Sequence, residues 1–167
     1  MRPRPLPLST DVGHVADVSI DASVEDGKDL KRLGDSMIID RIDPPSLHPI
    51  PGAAHVTVAE GRRIIHVSGQ AGRNTDGSLA SETVGGQAVQ ALRNLRTALD
   101  AAGAGLADVA HLTVYIVDYT AASLDALMEA AIGEYGEAYP ITACTLVGVA
   151  ALWEAGVLIE IDAMAVV

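Results

Sequence analysis

The closing stretch Pro140–Val167, PITACTLVGVAALWEAGVLIEIDAMAVV, leaves this chain few ways to fold. Ala143–Val149 and Val157–Val166 are runs of β-branched and apolar residues, and Leu152-Trp153-Glu154-Ala155-Gly156 between them has the composition of a turn. Two strands are predicted. Side chains alternate along a strand, so in the second Ile159, Ile161, Ala163 and Ala165 share one face, and Leu158, Glu160, Asp162 and Met164 share the other. Glu160 and Asp162 then stand about 7 Å apart on one side of a strongly apolar strand. Carboxylates in such a run belong either to a water-facing sheet surface or subunit contact, or to an acid–base group in a cleft.

A chain of 167 residues has room for one domain with a substantial core and an appendage. Apolar residues make up 49% but aromatics only 3%, with no Phe, so the core is built from Ala, Val, Leu and Ile. Acidic residues outnumber basic ones 22 to 11, for a net charge of −11, which argues against nucleic acid or an anionic membrane as partner. No apolar run approaches the roughly 18–20 residues of a membrane span. The opening MRPRPLPLST has two arginines but no apolar segment after them, and does not read as a signal peptide. A single cysteine, Cys144, excludes an internal disulfide and fits a reducing cytoplasm.

Seven of the eight prolines fall within residues 1–51, and the opening R-P-R-P-L-P reads as an extended tail. Val15–Val24 alternates as an optional strand would, and Met37-Ile38-Ile39-Asp40 begins the better-patterned part. His55–Val58 and Arg63–Ser68 read as two strands of a hairpin around Glu60-Gly61-Arg62. A helix is predicted over Ser81–Ala102, with Val84, Ala88, Ala91, Leu92, Leu95, Leu99 and Ala102 as its stripe, Ser81 or Thr83 as cap, and Gly103 as stop. Val109–Val117 alternates as a strand. A second helix runs over Ala121–Tyr139, with Leu124, Leu127, Met128, Ala131 and Tyr135 as its buried stripe, and Pro140 closes it. Two helices against one mixed sheet make an α+β two-layer sandwich, whose uncovered sheet face is expected to be apolar and to draw in a partner copy.

Few residues announce chemistry by themselves. Ser68-Gly69-Gln70 joins a strand to a loop, where side chains and backbone N–H groups can line a cleft; the glycine equally serves a turn. Ser68 lacks the G-x-S-x-G context of a hydrolase nucleophile. The five histidines, His14, His48, His55, His66 and His111, form no close ligand pair, so no metal site is expected. Cys144 reads as a small buried hydrophobe, and Arg93 and Asn94, off the helix stripe, as solvated surface.

Taken together and in order, I-I-H-V-S-G-Q, a D-G loop, Q-A-V-Q-A-L-R-N-L, A-A-G, T-V-Y-I-V-D, the proline before the closing strands and I-E-I-D-A-M-A-V resemble the RidA/YjgF family from about Met37 to Val167. The resemblance implies a chorismate-mutase-like α+β fold and a homotrimer with ligand clefts between subunits. It implies cofactor-free hydrolysis of small reactive imines and enamines to keto acids and ammonia. It makes Glu160 the acid that positions or activates water, Ser68 and Gly69 part of the ligand site, and Cys144 the residue whose backbone lines the cleft. Residues 1–36 become an N-terminal extension, with Met37 a candidate alternative start.

One departure stands out. The family's arginine falls two residues after the proline, and here Pro140-Ile141-Thr142-Ala143-Cys144 puts Thr142 in its place. A neutral hydroxyl cannot reproduce a bidentate guanidinium–carboxylate pair. Gly52-Ala53-Ala54-His55 also lacks the family's upstream tyrosine, with His55 as its possible substitute. Two main expectations follow. Either Glu160 positions water and Thr142 orients the ligand in an imine or enamine hydrolase of altered substrate, or the chain is a non-catalytic small-molecule-binding or pathway-accessory member. An endoribonuclease is disfavoured, since only five Lys or Arg residues follow Pro51.

Overall fold

The structure, a computed structural model, describes residues 38–167. The expected extension 1–36, with its optional strand at Val15–Val24, and Met37 lie outside the described residues. Six strands and two helices follow in the order β1 (Ile38–Ile42), β2 (Val56–Glu60), β3 (Ile64–Ala71), α1 (Val84–Ala101), β4 (Val109–Val117), α2 (Ala121–Tyr135), β5 (Ala143–Val149) and β6 (Ile159–Val166). β3, β6, β4 and β5 lie side by side in that order; β4 and β5 are parallel and the other neighbours antiparallel. A parallel neighbour needs a crossover, and α2 supplies it. Both helices pack on one face of this mixed sheet, the α+β two-layer arrangement that the sequence predicts.

The predicted hairpin between the segments at His55 and Arg63 does not form. β2 pairs instead with β1, from Ile38↔Glu60 to Ile42↔Val56, and β3 leaves to pair with β6. Every strand has two edges, and periodicity does not say which neighbour takes them. The C-terminal strand holds β3 through its far end: Arg62 N and Arg63 N each donate to Val167 O at 2.8 Å, and Val167 N donates to Arg63 O at 3.0 Å.

The core lies between sheet and helices. Ile159, Ile161, Ala163 and Ala165 of β6 meet Leu112, Val114 and Ile116 of β4, with Ala88, Ala91, Leu92, Leu95 and Leu99 of α1 above them. α2 adds Leu127, Ala130, Ala131 and Tyr135. α1 starts later than predicted because Ser81 and Thr83 engage each other (Thr83 N donates to Ser81 Oγ at 3.1 Å), and Thr83 then caps the helix by accepting from Gly86 N. Gly103, at φ +74, closes it as expected. α2 begins with a reciprocal Thr120–Ser123 capping box and ends at Tyr135, before a short 3-10 turn.

Polar ties fix the helices to the sheet. Gln87 is fully buried. Its Nε2 donates to Ser81 O at 2.9 Å and Gly156 O at 2.7 Å, and its Oε1 accepts from Leu158 N at 2.9 Å, so one amide joins α1 to the entry of β6. Asn94 is half-buried rather than solvated surface, contrary to the sequence expectation, while Arg93 is exposed as expected and also ties the two helices together. Asn94 Nδ2 donates to Ala71 O at 3.0 Å and Arg73 O at 2.9 Å, holding the end of β3, and Arg93 grips Glu134 of α2 bidentately at 2.7 and 2.9 Å. That bond holds the Glu134 carboxyl below its usual range. Both residues are polar groups on the rim of the stripe, where partners come from other elements and sequence spacing is silent. Tyr135 donates to Leu92 O at 2.6 Å, and burial raises its phenol well above the ordinary value.

The open sheet face also departs from expectation. Alternation sends His66, Ser68, Glu160, Asp162, Met164, His111, Thr113, Tyr115 and Thr145 to that side, so it is mixed rather than apolar. Cys144 points the other way, against the core, and burial pushes its thiol above the ordinary value.

Gln87→Leu leaves two carbonyls and one N–H buried without partners, and is expected to cost about 2–4 kcal/mol, read as a lower urea midpoint at fixed chain concentration. An unchanged midpoint would show that the amide ties nothing. A raised thiol pKa means less thiolate at any given pH, so Cys144 in the folded protein should react with iodoacetamide at pH 8 at least about tenfold more slowly than in the urea-unfolded chain. Equal rates would place the thiol outside the core.

Candidate functional site

The ladder between β3 and β6 skips a residue. Val67 faces Ala163 and Gln70 faces Ile161, so Ser68 and Gly69 together oppose the single residue Asp162. This is a β-bulge, a device that bends a strand and re-aims side chains. Gln70 Nε2 donates to the Ser68 carbonyl at 2.9 Å within it. The side chain of Glu160 lies across Gly69 so closely that an added Cβ there would fall 2.0 Å from Oε1. A larger residue at this position would displace the Glu160 side chain. On the other flank of β6, Tyr115 of β4 stands directly opposite Glu160, and Thr113 opposite Asp162. Gly69 and Glu160 therefore meet, with Ser68 next along the bulge, and the half-buried carboxylate belongs to a residue that pairs with Tyr115. Such a group can hold a water and exchange a proton with it.

Gly72, three residues on, is constrained for a different reason. A Cβ there would fall 2.5 Å from the Gln87 backbone, so β3 leaves the sheet flush against α1. The direction of the chain after the bulge is set by that contact and by Asn94.

Thr142, His55 and Cys144 lie elsewhere. Thr142 is fully buried, with Oγ1 3.2 Å from Thr57 Oγ1 and its carbonyl accepting from Ala54 N at 3.0 Å. Thr57 Oγ1 also accepts from Ala143 N at 2.8 Å, and Ala54 bridges to Ala143, so β2 is stitched to the head of β5. His55 follows, half-buried. Its N–H donates to Asp43 Oδ1 at 2.8 Å, and its Nε2 lies 2.8 Å from His48 O, which makes that nitrogen the donor. With Asp43, Pro44, Pro45, Leu47, Pro49, Ile50 and Ala53 it lines a cavity of about 240 Å³. Arg41 of β1 reaches the same place and donates from Nε to the carbonyl of Ile141.

These two groups are far apart in one chain. Glu160 stands level with Tyr115 and Val147, whereas Ala143 stands level with His111 and Met164. Five residues along the strand and two strands across separate Glu160 from Thr142, roughly 17 Å by about 10 Å. One group sits on the β3–β6 edge of the sheet, the other on the β5 edge. The Cys144 side chain, in the core, belongs to neither.

Sequence reasoning missed Tyr115, Thr57 and Arg41. Tyr115 carried a weak signal, since alternation placed it on the polar side of its strand. Thr57 and Arg41 carried none, because their importance depends on β1 pairing with β2 and on where that pair meets β5. Among the described residues, no group of three or more His, Cys, Asp or Glu side chains is placed to hold a metal ion, and no helix is long and apolar enough to cross a membrane.

Residues 47–167 match the family model described as endoribonuclease L-PSP. No protein of curated function matches the chain. Among solved structures, YyfB of Yersinia pestis, a Rid-family protein of unknown function, is 32% identical, with a TM-score of 0.71 over 77% of this chain and 98% of its own. The YjgF gene product of E. coli is 26% identical over 74% of this chain and 92% of its own, with a TM-score of 0.56. RidA of an Antarctic Psychrobacter is 29% identical over 69% and 92%, with a TM-score of 0.55. The matched span, the shared fold and these relatives lead to one conclusion: the chain belongs to the endoribonuclease L-PSP family, the Rid/YjgF group.

Proposed function

We propose that this protein hydrolyses a small reactive imine or enamine, without a cofactor, as a homotrimer whose clefts lie between subunits. The observation that carries the reading is the Glu160 carboxylate, half-buried on the open sheet face and pressed over Gly69 of the bulge. An enamine first tautomerises to its imine. Glu160 then takes a proton from water as the water oxygen bonds to the imine carbon, and the C=N electron pair moves to nitrogen, which is protonated. Collapse of the carbinolamine re-forms a C=O bond and expels ammonia. Ser68 and the backbone of the bulge hold the reacting atoms near Glu160, and His55 and the head of β5 bind the remainder of the substrate.

The separation of the two groups supports a ring of copies, of which the trimer is the one proposed. The bulge lies at one edge of the sheet and the head of β5 at the other, so a cleft with both requires the first from one copy and the second from its neighbour. A contact between two different patches is heterologous, and repeated with rotational closure it makes a ring.

A second reading has its own observation. Thr142 is buried and engaged with Thr57, which leaves it no free group to orient a substrate. On that basis the protein is a ligand-binding or accessory member with little turnover. Endoribonuclease activity is the weakest reading, because a net charge of −11 repels RNA.

Ammonia release from imines generated in situ by an amino-acid oxidase tests the choice. Glu160→Gln should lower the rate by about 10²–10⁴-fold, with ligand binding retained. If the native protein gives no acceleration, the hydrolase reading fails and the binding reading takes its place. Gly69→Ala places a methyl where the carboxylate rests, and a flexible side chain can yield where a backbone cannot. Its rate should fall by at least about tenfold while its urea midpoint stays close to native; an unaltered rate would separate Glu160 from the chemistry.

A further inference from the structure

Hydrolysis of an imine needs two proton movements, one from water and one to nitrogen, and a carboxylate taking the first leaves the second without a donor. Across β6 from the bulge stands a second group. Tyr115 of β4 is the register partner of Glu160. Residues paired in this way project to the same face with Cβ atoms about 4.5–5.5 Å apart. Both are half-buried, on the open side of the sheet. On its other flank Tyr115 faces Val147 of β5, which gives the ring an apolar neighbour.

The two side chains lean to different sides. Glu160 lies toward β3, over Gly69, where an added Cβ would fall 2.0 Å from Oε1. Tyr115 lies on the β4 side. Carboxylate and phenol therefore flank β6, and a strand spacing of about 4.8 Å on either side leaves width for a small molecule between them. Among the described residues, no hydrogen bond engages the Tyr115 hydroxyl or the Glu160 carboxylate. Tyr135 makes the contrast, since its hydroxyl is bound to Leu92 O at 2.6 Å inside the core. A carboxylate only accepts, whereas a neutral phenol has a proton to give. The histidines of the open face, His66 and His111, both stand opposite Met164, four residues or roughly 13 Å along β6 from Glu160. Tyr115 is the donor at the level of the carboxylate.

We propose that Tyr115 is the general acid of this site: its phenol protonates the imine nitrogen while Glu160 takes a proton from the attacking water. The inference rests on the hydrolase reading and deepens it. In the first step the water oxygen bonds to the imine carbon and one water proton goes to Glu160. The C=N electron pair moves to nitrogen, which takes the phenol proton. A neutral carbinolamine, a protonated Glu160 and a tyrosinate result. In the second step the tyrosinate takes the carbinolamine hydroxyl proton as the C=O bond forms. The C–N bond breaks, and the proton on Glu160 passes to the departing ammonia. Both side chains end as they began, and both come from one chain.

Ammonia release from imines generated in situ by an amino-acid oxidase tests this on native protein, Tyr115→Phe, Glu160→Gln and protein carrying 3-fluorotyrosine at position 115. Tyr115→Phe keeps the ring and removes the proton. Its kcat should fall by about 10²–10⁴-fold, with KM within about twofold of native and the urea midpoint close to native. An acid must be protonated to act, so native kcat should decline at high pH as the phenol ionises. That alkaline limb should be missing from Tyr115→Phe and displaced to lower pH in the fluorotyrosine protein, whose phenol is more acidic. A ring that serves only packing would move no limb.

Turnover at the native rate by Tyr115→Phe, with Glu160→Gln silent, overturns the assignment and leaves the hydrolase standing. So does an alkaline limb that stays in place in the fluorotyrosine protein, which also serves where Tyr115→Phe does not fold. No acceleration by native protein removes both readings together.

Discussion

β6 lies between β3 and β4, and almost everything else in this fold is positioned by it. Its alternate residues Ile159, Ile161, Ala163 and Ala165 are at most 3% exposed beneath α1. Burying them fixes which way the strand faces, because a slip of one residue would turn the whole set outward. Glu160, Asp162 and Met164 are then forced to the open side. Glu160 reaches the open face as a consequence of the register that buries its neighbours.

The core that holds β6 has no Phe and many alanines, among them Ala88, Ala91, Ala130, Ala131, Ala163 and Ala165. Small residues bring helix and strand backbones close, as the contact between Gly72 and Gln87 shows. They also supply less apolar surface per residue than large side chains do. Polar ties make up part of the specification: Gln87 to the entry of β6, Asn94 to the end of β3, Arg93 to Glu134. Each connects segments that are distant in sequence. A buried amide tolerates only one geometry, so these bonds set the helix position more sharply than alanine packing can.

The bulge at Ser68-Gly69 interrupts this regular packing. It breaks the β3–β6 ladder beside Glu160, and a larger residue at position 69 would have to push the carboxylate aside. At the opposite edge, β1 and β2 bring Arg41, Thr57 and His55 to the head of β5. Two chemically different groups of side chains thus stand at opposite edges of one sheet, too far apart to meet within a chain.

The sequence by itself determined the order and kind of the main elements, the facing of Glu160, the glycine stop of α1 and the family motifs, because periodicity and turn chemistry are local. It placed Cys144 in the core for the same reason. Pairing was left to the tertiary structure. Which edge of β3 meets which strand, and so the absence of the hairpin, depends on contacts across about a hundred residues that no local pattern encodes. Asn94 looked like surface for that reason: its partners are the carbonyls of Ala71 and Arg73 at the end of β3. Thr142 reads as an open hydroxyl in sequence and is sealed in the fold, because β2 packs Thr57 against it. The tertiary structure also decided that Glu160 and Thr142 stand at opposite edges, since distance across a sheet is set by strand order, and strand order follows from hydrogen bonds between segments far apart in the chain.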